Sequence, residues 1–179
     1  IAFVYGGSNI SGYSADPVYD GAPLAKAANA VVVTMNYRVG VFGFLALEPL
    51  KTGTDALGDS GNFALLDIAQ ALKFVQRNIE RFGGDPSNVT LMGQSAGAID
   101  VWALMTSPLA DALFHRAVPI SGGISTAATL PAGSIPIISP ASVYRTQGEQ
   151  LLPELLIADG RAADATAAQA AAAGLTDPQ

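Results

Sequence analysis

The apolar residues of this chain fall into four short runs. Ile1–Val4 and Val31–Tyr37 are nearly continuous in their apolarity, and Val89–Met92 and Ala117–Ile120 are two further runs. Short continuous runs of this kind are typical of strands in a parallel sheet that is covered on both faces. The pattern therefore predicts four strands, and we expect Val31–Tyr37 and Val89–Met92 to be buried.

Between these runs, apolar residues recur at helical spacing. After Ser60 they stand three or four residues apart, at Leu65, Ile68, Leu72, Val75, Ile79 and Phe82. This spacing predicts the buried face of an amphipathic helix that Gly83-Gly84 would end. Shorter helices are predicted over Pro23–Ala30 and Ala96–Thr106. Strands that alternate with helices favour right-handed crossovers and an open parallel α/β sheet.

The chain changes in character after Gly123. Residues 124–142 are rich in Ser, Thr, Ala and Pro, and we expect an irregular connection there. A helix is predicted over about Val143–Ala158, with Pro153 interrupting it or starting a new helix. In Ala158–Ala173, ten of sixteen residues are alanine, which favours helix but leaves little side chain to bury. We expect this last segment to pack only weakly.

Composition excludes several classes of function. The 179 residues are 50% hydrophobic and 13% charged, with a net charge of −6 and no basic stripe, so nucleic acid is not an expected partner. The lack of cysteine excludes disulfides and a cysteine nucleophile, and the single histidine, His115, excludes a histidine-rich zinc site. No metal or cofactor is expected. No run approaches the roughly 18 apolar residues of a membrane span, and the compartment stays open.

One short motif carries the candidate chemistry. Gly93-Gln94-Ser95-Ala96-Gly97 matches the pattern G-x-S-x-G between a predicted strand and a predicted helix. In this context a sharp turn exposes a serine nucleophile, and the helix N-terminus offers unpaired N–H groups to an oxyanion. The alternative is a serine that only caps the helix and is flanked by packing glycines.

A second motif, Tyr5-Gly6-Gly7-Ser8, also follows a predicted strand. An oxyanion hole needs further backbone N–H groups opposite the one that follows the nucleophile, and a glycine-rich loop can bring them close. The N–H groups of Gly7 and Ser8 would then join that of Ala96. The alternative is an ordinary turn.

These motifs stand among others in a fixed order over residues 1–123. The segments are Tyr5-Gly6-Gly7, Asn36–Leu45, Gly61-Asn62, Leu65–Asp67, Asn78-Ile79, Phe82–Pro86, Val89-Thr90, Gly93–Ala98, Ser107–Leu109, Phe114–Ala117 and Ser121-Gly122. In this order and spacing the chain resembles the type-B carboxylesterase family, the cholinesterase-like branch of the α/β hydrolases. The resemblance implies an α/β-hydrolase fold, a mostly parallel sheet with flanking helices. This chain would be an incomplete, N-terminal portion of it, with a core over residues 1–123 and a continuation of the same domain over residues 124–179.

The resemblance also implies a function. The resemblance implies a carboxylic-ester hydrolase in which Ser95 is the nucleophile and the N–H groups of Gly7, Ser8 and Ala96 form the oxyanion hole. The implied substrate is a small-molecule ester, and no cofactor is implied. Arg38 and Asp67 resemble a pair that forms a buried structural salt bridge in the family. The chain departs from the family pattern at three positions: Tyr5 replaces a frequent His, Ser8 replaces a usual Gly, and Gln94 replaces a frequent Glu.

The general base and acid are not expected in this chain. A helix of about eleven residues would carry the chain about 16 Å from Ser95, so His115 is predicted at the opposite end of the sheet. Lys73 lies on the preceding helix and lacks S-x-x-K spacing. The family places acid and base beyond Gln179, in the remainder of the polypeptide. Two alternatives stay open: an inactive cholinesterase-like binding or adhesion module, and a non-catalytic fragment.

Overall fold

The computed structural model describes residues 1–124 and 141–175 of the chain, and these residues cluster into two compact units. The first unit contains the described residues 1–43 and 64–124. The second contains residues 44–63 and 141–175. Both candidate motifs lie in the first unit.

In the described part of the first unit, four parallel strands form a sheet with the order β2-β1-β3-β4. Its strands are β1 (Ala2–Val4), β2 (Val33–Thr34), β3 (Thr90–Gln94) and β4 (Arg116–Ile120). The predicted parallel α/β sheet is therefore confirmed. In the register of β3 and β4, Thr90 lies beside Arg116 and Gln94 lies beside Ile120.

Burial separates the central strands from the outer ones. In β1 and β3, Val4 and Leu91 are fully buried. The expectation that Val31–Tyr37 is covered on both faces is wrong for β2, which is half-buried and much shorter than that run. The residues of β4 are exposed or half-buried. Within the described sheet each outer strand has a hydrogen-bonded neighbour on one side only, which leaves its other edge uncovered.

Among the described residues of this unit, three α-helices accompany the sheet: α1 (Ala22–Ala28), α2 (Phe63–Asn78) and α3 (Ala96–Met105). The predicted face of α2 is confirmed at Ile68, Leu72 and Val75, which are buried. Phe82 is 64% exposed, contrary to the prediction. The chain tightens after Asn78 into a 3₁₀ turn, whose three residues per turn shift the phase of the apolar face.

The second unit contains α4 (Ala141–Ala158) and α5 (Ala165–Gly174), which pack against each other. The expected break at Pro153 is wrong, because α4 continues through this residue while the helix packs against α5. Ala168 of α5 is fully buried, so the expectation of weak packing is wrong there. Most of the predicted irregular connection, residues 124–142, lies outside the described residues. No described helix is long and apolar enough to cross a membrane.

Candidate functional site

Ser95 occupies a single-residue turn between β3 and α3. Its backbone angles are φ 55° and ψ −121°, a region that residues other than glycine rarely adopt. The Ser95 N–H donates to the carbonyl of Ile120 at 2.9 Å, and its own carbonyl accepts from Ala98 at 2.9 Å. These bonds at both backbone groups hold the residue in its strained conformation.

The Ser95 side chain does not cap α3. The residue stands at the N-cap position, yet its hydroxyl makes no hydrogen bond to the first turn of the helix. An N-cap serine contributes by accepting such a bond from N2 or N3. The capping alternative therefore lacks its defining contact, and the hydroxyl is not committed to the helix.

Glycines bring the backbone segments around Ser95 unusually close. A Cβ on Gly97 would lie 2.3 Å from the carbonyl oxygen of Val4, and a Cβ on Gly93 would lie 2.3 Å from the carbonyl oxygen of Gly97. Gly122, which sequence reasoning did not single out as a packing residue, would bring a Cβ within 2.5 Å of the Ser95 carbonyl oxygen. The only local signal for Gly122 is its position just after an apolar run.

The glycine-rich loop after β1 reaches the same turn. A Cβ on Gly6 would lie 2.9 Å from the Cβ of Ser95 and 2.8 Å from the carbonyl oxygen of Gln94. Gly7 and Ser8 follow directly, with φ of 117° and 56°, and both are exposed. The loop turns back on itself because the Gly7 carbonyl accepts from the N–H of Ile10 at 3.0 Å.

Two further residues join this loop to α3, and sequence reasoning missed both. Asp100 of α3 is 2% exposed, and its Oδ1 accepts from the side-chain amide of Asn9 at 3.0 Å. Burial raises the pKa of Asp100 to about 7, although the Asn9 hydrogen bond favours the charged form. A signal existed for Asp100, since it is the only charged residue in the apolar sequence of α3.

Two buried tyrosines, Tyr5 and Tyr37, lie next to Asn9 and are hydrogen-bonded to each other. The Tyr37 hydroxyl donates to the Tyr5 carbonyl at 2.7 Å and lies 3.2 Å from Oδ1 of Asn9. The Tyr5 hydroxyl donates to the Tyr37 carbonyl at 3.2 Å, and the two rings stack with centroids 4.5 Å apart. Burial raises the pKa of both tyrosines, so both hydroxyls stay protonated around neutral pH.

Arg38 and Asp67 form the predicted ion pair, but the pair is not buried. Arg38 donates from Nε and Nη2 to the two carboxylate oxygens at 2.7 and 2.8 Å, and its backbone N–H donates to Oδ2 at 2.9 Å. The Arg38 side chain is 51% exposed. Burial alone would raise the pKa of Asp67, but the contacts with Arg38 lower it overall. The expected burial is therefore corrected to a partly exposed pair.

The two alternative bases considered from the sequence lie elsewhere. His115 immediately precedes β4, and its Nδ1 accepts from the Val89 N–H at 3.1 Å at the start of β3. Ser95 follows the other end of β3, a strand length of about 16 Å away at 3.3 Å per residue. Lys73 lies within α2. Within residues 1–124 and 141–175, no group of three metal-binding side chains lies together.

Known proteins are similar to the part of the chain that contains both motifs. The model of the carboxylesterase family matches residues 1–139. Fumonisin B1 esterase of Sphingopyxis macrogoltabida is 48% identical over 123 residues, which cover 69% of this chain and 22% of that protein. Para-nitrobenzyl esterase of Bacillus subtilis strain 168 is 44% identical over 126 residues, which cover 70% of this chain and 25% of that protein.

A solved structure supports the fold. The crystal structure of a carboxylesterase from Geobacillus stearothermophilus at pH 6.2 has 44% identity and a TM-score of 0.60, over 65% of this chain and 24% of that one. The likeness shows the predicted α/β-hydrolase fold. The chain spans about a quarter of the length of these relatives.

Proposed function

The chain belongs to the carboxylesterase family, and from this premise we propose that the protein that carries it hydrolyses carboxylic esters with Ser95 as nucleophile. The observation that carries the proposal is the turn itself. Ser95 is held at φ 55° between β3 and α3 with a hydroxyl that does not cap the helix. A binding module has no need for this strain, whereas a nucleophile gains exposure from it.

The chemical role of Ser95 follows from ester hydrolysis. Its Oγ attacks the carbonyl carbon of a small-molecule ester while a base removes the hydroxyl proton. The tetrahedral intermediate then expels the alcohol, which takes up that proton, and leaves an acyl group on Oγ. Attack by water on the acyl-serine releases the acid and restores the hydroxyl.

The developing oxyanion needs donors, and three N–H groups are proposed for it. The Ala96 N–H is the first of α3, where helix N–H groups have no acceptor within the helix and the dipole favours negative charge. The N–H groups of Gly7 and Ser8 are the other two. Their support is the contact of Gly6 with Ser95, which places the loop against the turn. Loss of one such donor typically costs about 10²–10³ in kcat.

The base and acid are proposed to come from chain beyond Gln179. His115 is the only histidine of the sequence and lies at the far end of β3 from Ser95. In the chain order of this fold, acid and histidine follow the serine. Residues 1–179 by themselves are therefore expected to lack hydrolytic activity. The alternative of a non-catalytic fragment makes the same prediction for this chain.

Covalent labelling tests the proposal. An organophosphonate probe is incubated with the longer polypeptide, defined as residues 1–179 followed by the downstream chain, and with residues 1–179 alone. We expect mass spectrometry to find the adduct on Ser95 of the longer polypeptide and little or none on the shorter one. An unlabelled longer polypeptide would contradict the esterase proposal and favour the inactive binding module.

Two variants make the assignment specific. Ser95→Ala in the longer polypeptide is expected to abolish labelling. Ser121→Ala is the matched control, because Ser121 also follows a strand of the sheet and also has a positive φ, 53°. If labelling survives in Ser95→Ala and disappears in Ser121→Ala, the nucleophile is Ser121 and our assignment to Ser95 is wrong.

A further inference from the structure

Asp100 is a buried acid that ester hydrolysis by Ser95 leaves unexplained. It lies in α3 one turn beyond the serine, and 2% of its surface is exposed. Oδ1 accepts from Asn9, while Oδ2 is buried without a hydrogen-bond partner among the described residues. Burying a carboxyl with one partner is costly, so its presence in a helix that is otherwise apolar calls for a compensating role.

Its partner Asn9 is the third of three consecutive residues with positive φ. Gly7 has φ 117°, and Ser8 and Asn9 both have φ 56°. Non-glycine residues are uncommon in this left-handed region and persist there where the surroundings hold them. The conformation of the loop therefore depends on contacts made by Asn9.

Those contacts fix Asn9 at three points. Its side-chain amide donates to Asp100 at 3.0 Å, and its side-chain oxygen lies 3.2 Å from the Tyr37 hydroxyl. Its backbone carbonyl accepts from the Gly40 N–H at 2.5 Å. The bond to Asp100 is the one that joins the loop to α3, the helix whose first N–H follows Ser95.

We propose that Asp100 is a positioning residue that acts through Asn9 to hold Gly7 and Ser8 in place opposite Ser95. The inference rests on the proposed function, because the held N–H groups matter only if an oxyanion forms there. With the Asn9 amide bound to α3, the loop and the first turn of that helix keep one relative position. The pair thus sets the separation between the two sides of the oxyanion hole.

The kinetic consequence is specific to the transition state. Oxyanion donors act on charge that develops after substrate has bound, so their displacement lowers kcat and leaves KM nearly unchanged. A displacement of about 1 Å can cost about a hundredfold in rate. Loss of the carboxyl should therefore reduce kcat by about ten- to a hundredfold.

The test uses steady-state hydrolysis of an uncharged nitrophenyl ester by the longer polypeptide. Asp100→Ala and Asn9→Ala are each expected to lower kcat by about ten- to a hundredfold with KM within about threefold of wild type. Because both remove the same contact, the double variant should lose no more than the worse single variant. Asp100→Asn keeps an oxygen that accepts from Asn9 and should restore kcat to within about threefold of wild type.

Controls separate positioning from folding and from the proposed function. Asp111→Asn removes one exposed carboxylate after α3 and should leave kcat unchanged. Each variant is assayed below its melting transition, measured by circular dichroism. The positioning role would be overturned if the losses in kcat multiply in the double variant, or if Asp100→Ala leaves kcat unchanged. In either case, ester hydrolysis by the wild-type protein would still support the proposed function. A wild-type protein with neither turnover nor Ser95 labelling would overturn both.

Discussion

Gly6 lies so close to Ser95 that a methyl group added to it would stand 2.9 Å from the serine Cβ. The same methyl group would stand 2.8 Å from the Gln94 carbonyl oxygen, a backbone atom that cannot rotate away. The glycine therefore sets the distance between the loop after β1 and the turn after β3. Only a residue without Cβ allows this approach.

Gly6→Ala is accordingly expected to separate the loop from the turn. We predict a loss of about a hundredfold in the rate at which the organophosphonate labels Ser95 in the longer polypeptide, since a displacement near 1 Å has this effect. Gly123→Ala is the matched control, because a Cβ there meets no atom within 4 Å. Equal labelling rates in the two variants would contradict the packing argument.

The strained backbone of Ser95 predicts a conflict between stability and reactivity. At φ 55° glycine is relaxed and serine is not. Ser95→Gly should therefore raise the free energy of unfolding by about 1 kcal/mol, because relief of about 1–3 kcal/mol of strain exceeds the added chain entropy of glycine. Denaturant unfolding of the longer polypeptide measures the change.

Ser95→Ala is the natural control for this prediction. It removes the hydroxyl and keeps the Cβ, so it should abolish labelling without the gain in stability. If alanine stabilises the protein as much as glycine, the gain comes from loss of the hydroxyl and the strain argument is wrong.

The turn at Ser95 could be predicted from sequence because its signals are local. An apolar strand, two glycines and a helix start stand within ten residues of one another. The Asn9–Asp100 hydrogen bond joins residues 91 positions apart, and no local pattern pairs them. Asp100 as the lone acid of α3 is a local signal that sequence reasoning passed over. The identity of its partner depends on the sheet order that brings β1 beside β3.

The extent of burial was predicted less well than the elements. Continuous apolarity indicated a long buried strand over Val31–Tyr37, yet only Val33–Thr34 pairs with β1. The predicted helix face ended in an exposed Phe82, because a 3₁₀ turn replaced the last α-helical turn. An apolar run indicates how much surface a segment could bury, whereas its tertiary neighbours determine how much of that surface is buried.

The Arg38–Asp67 pair predicts a moderate effect on stability. Asp67→Ala removes the acceptor of three N–H donations, one of them from the backbone. We expect the free energy of unfolding to fall by about 1–2 kcal/mol, less than the 3–5 kcal/mol typical of a broken buried pair. Asp67→Asn keeps an accepting oxygen and should lose less. A loss of 3–5 kcal/mol in Asp67→Ala would contradict the half-exposed geometry of Arg38.

Asp100 predicts a pH dependence of stability with a definite sign. Burial raises its pKa from 3.8 to about 7, so between these values the folded protein keeps a proton that the unfolded chain releases. The free energy of unfolding therefore falls as the pH rises from about 4 to 7 and is lowest, for this group, above 7. Three pKa units correspond to about 4 kcal/mol.

Asp100→Asn isolates this contribution, because asparagine does not titrate. Tyr5 and Tyr37, the titratable neighbours that interact with Asp100, stay neutral in this range since burial raises the pKa of each. Chemical denaturation at half-unit steps from pH 4 to 7.5 should show the variant gaining stability relative to wild type by several kcal/mol as the pH rises. A difference that does not change with pH would mean that Asp100 has the same pKa in the folded and unfolded states, contrary to its burial.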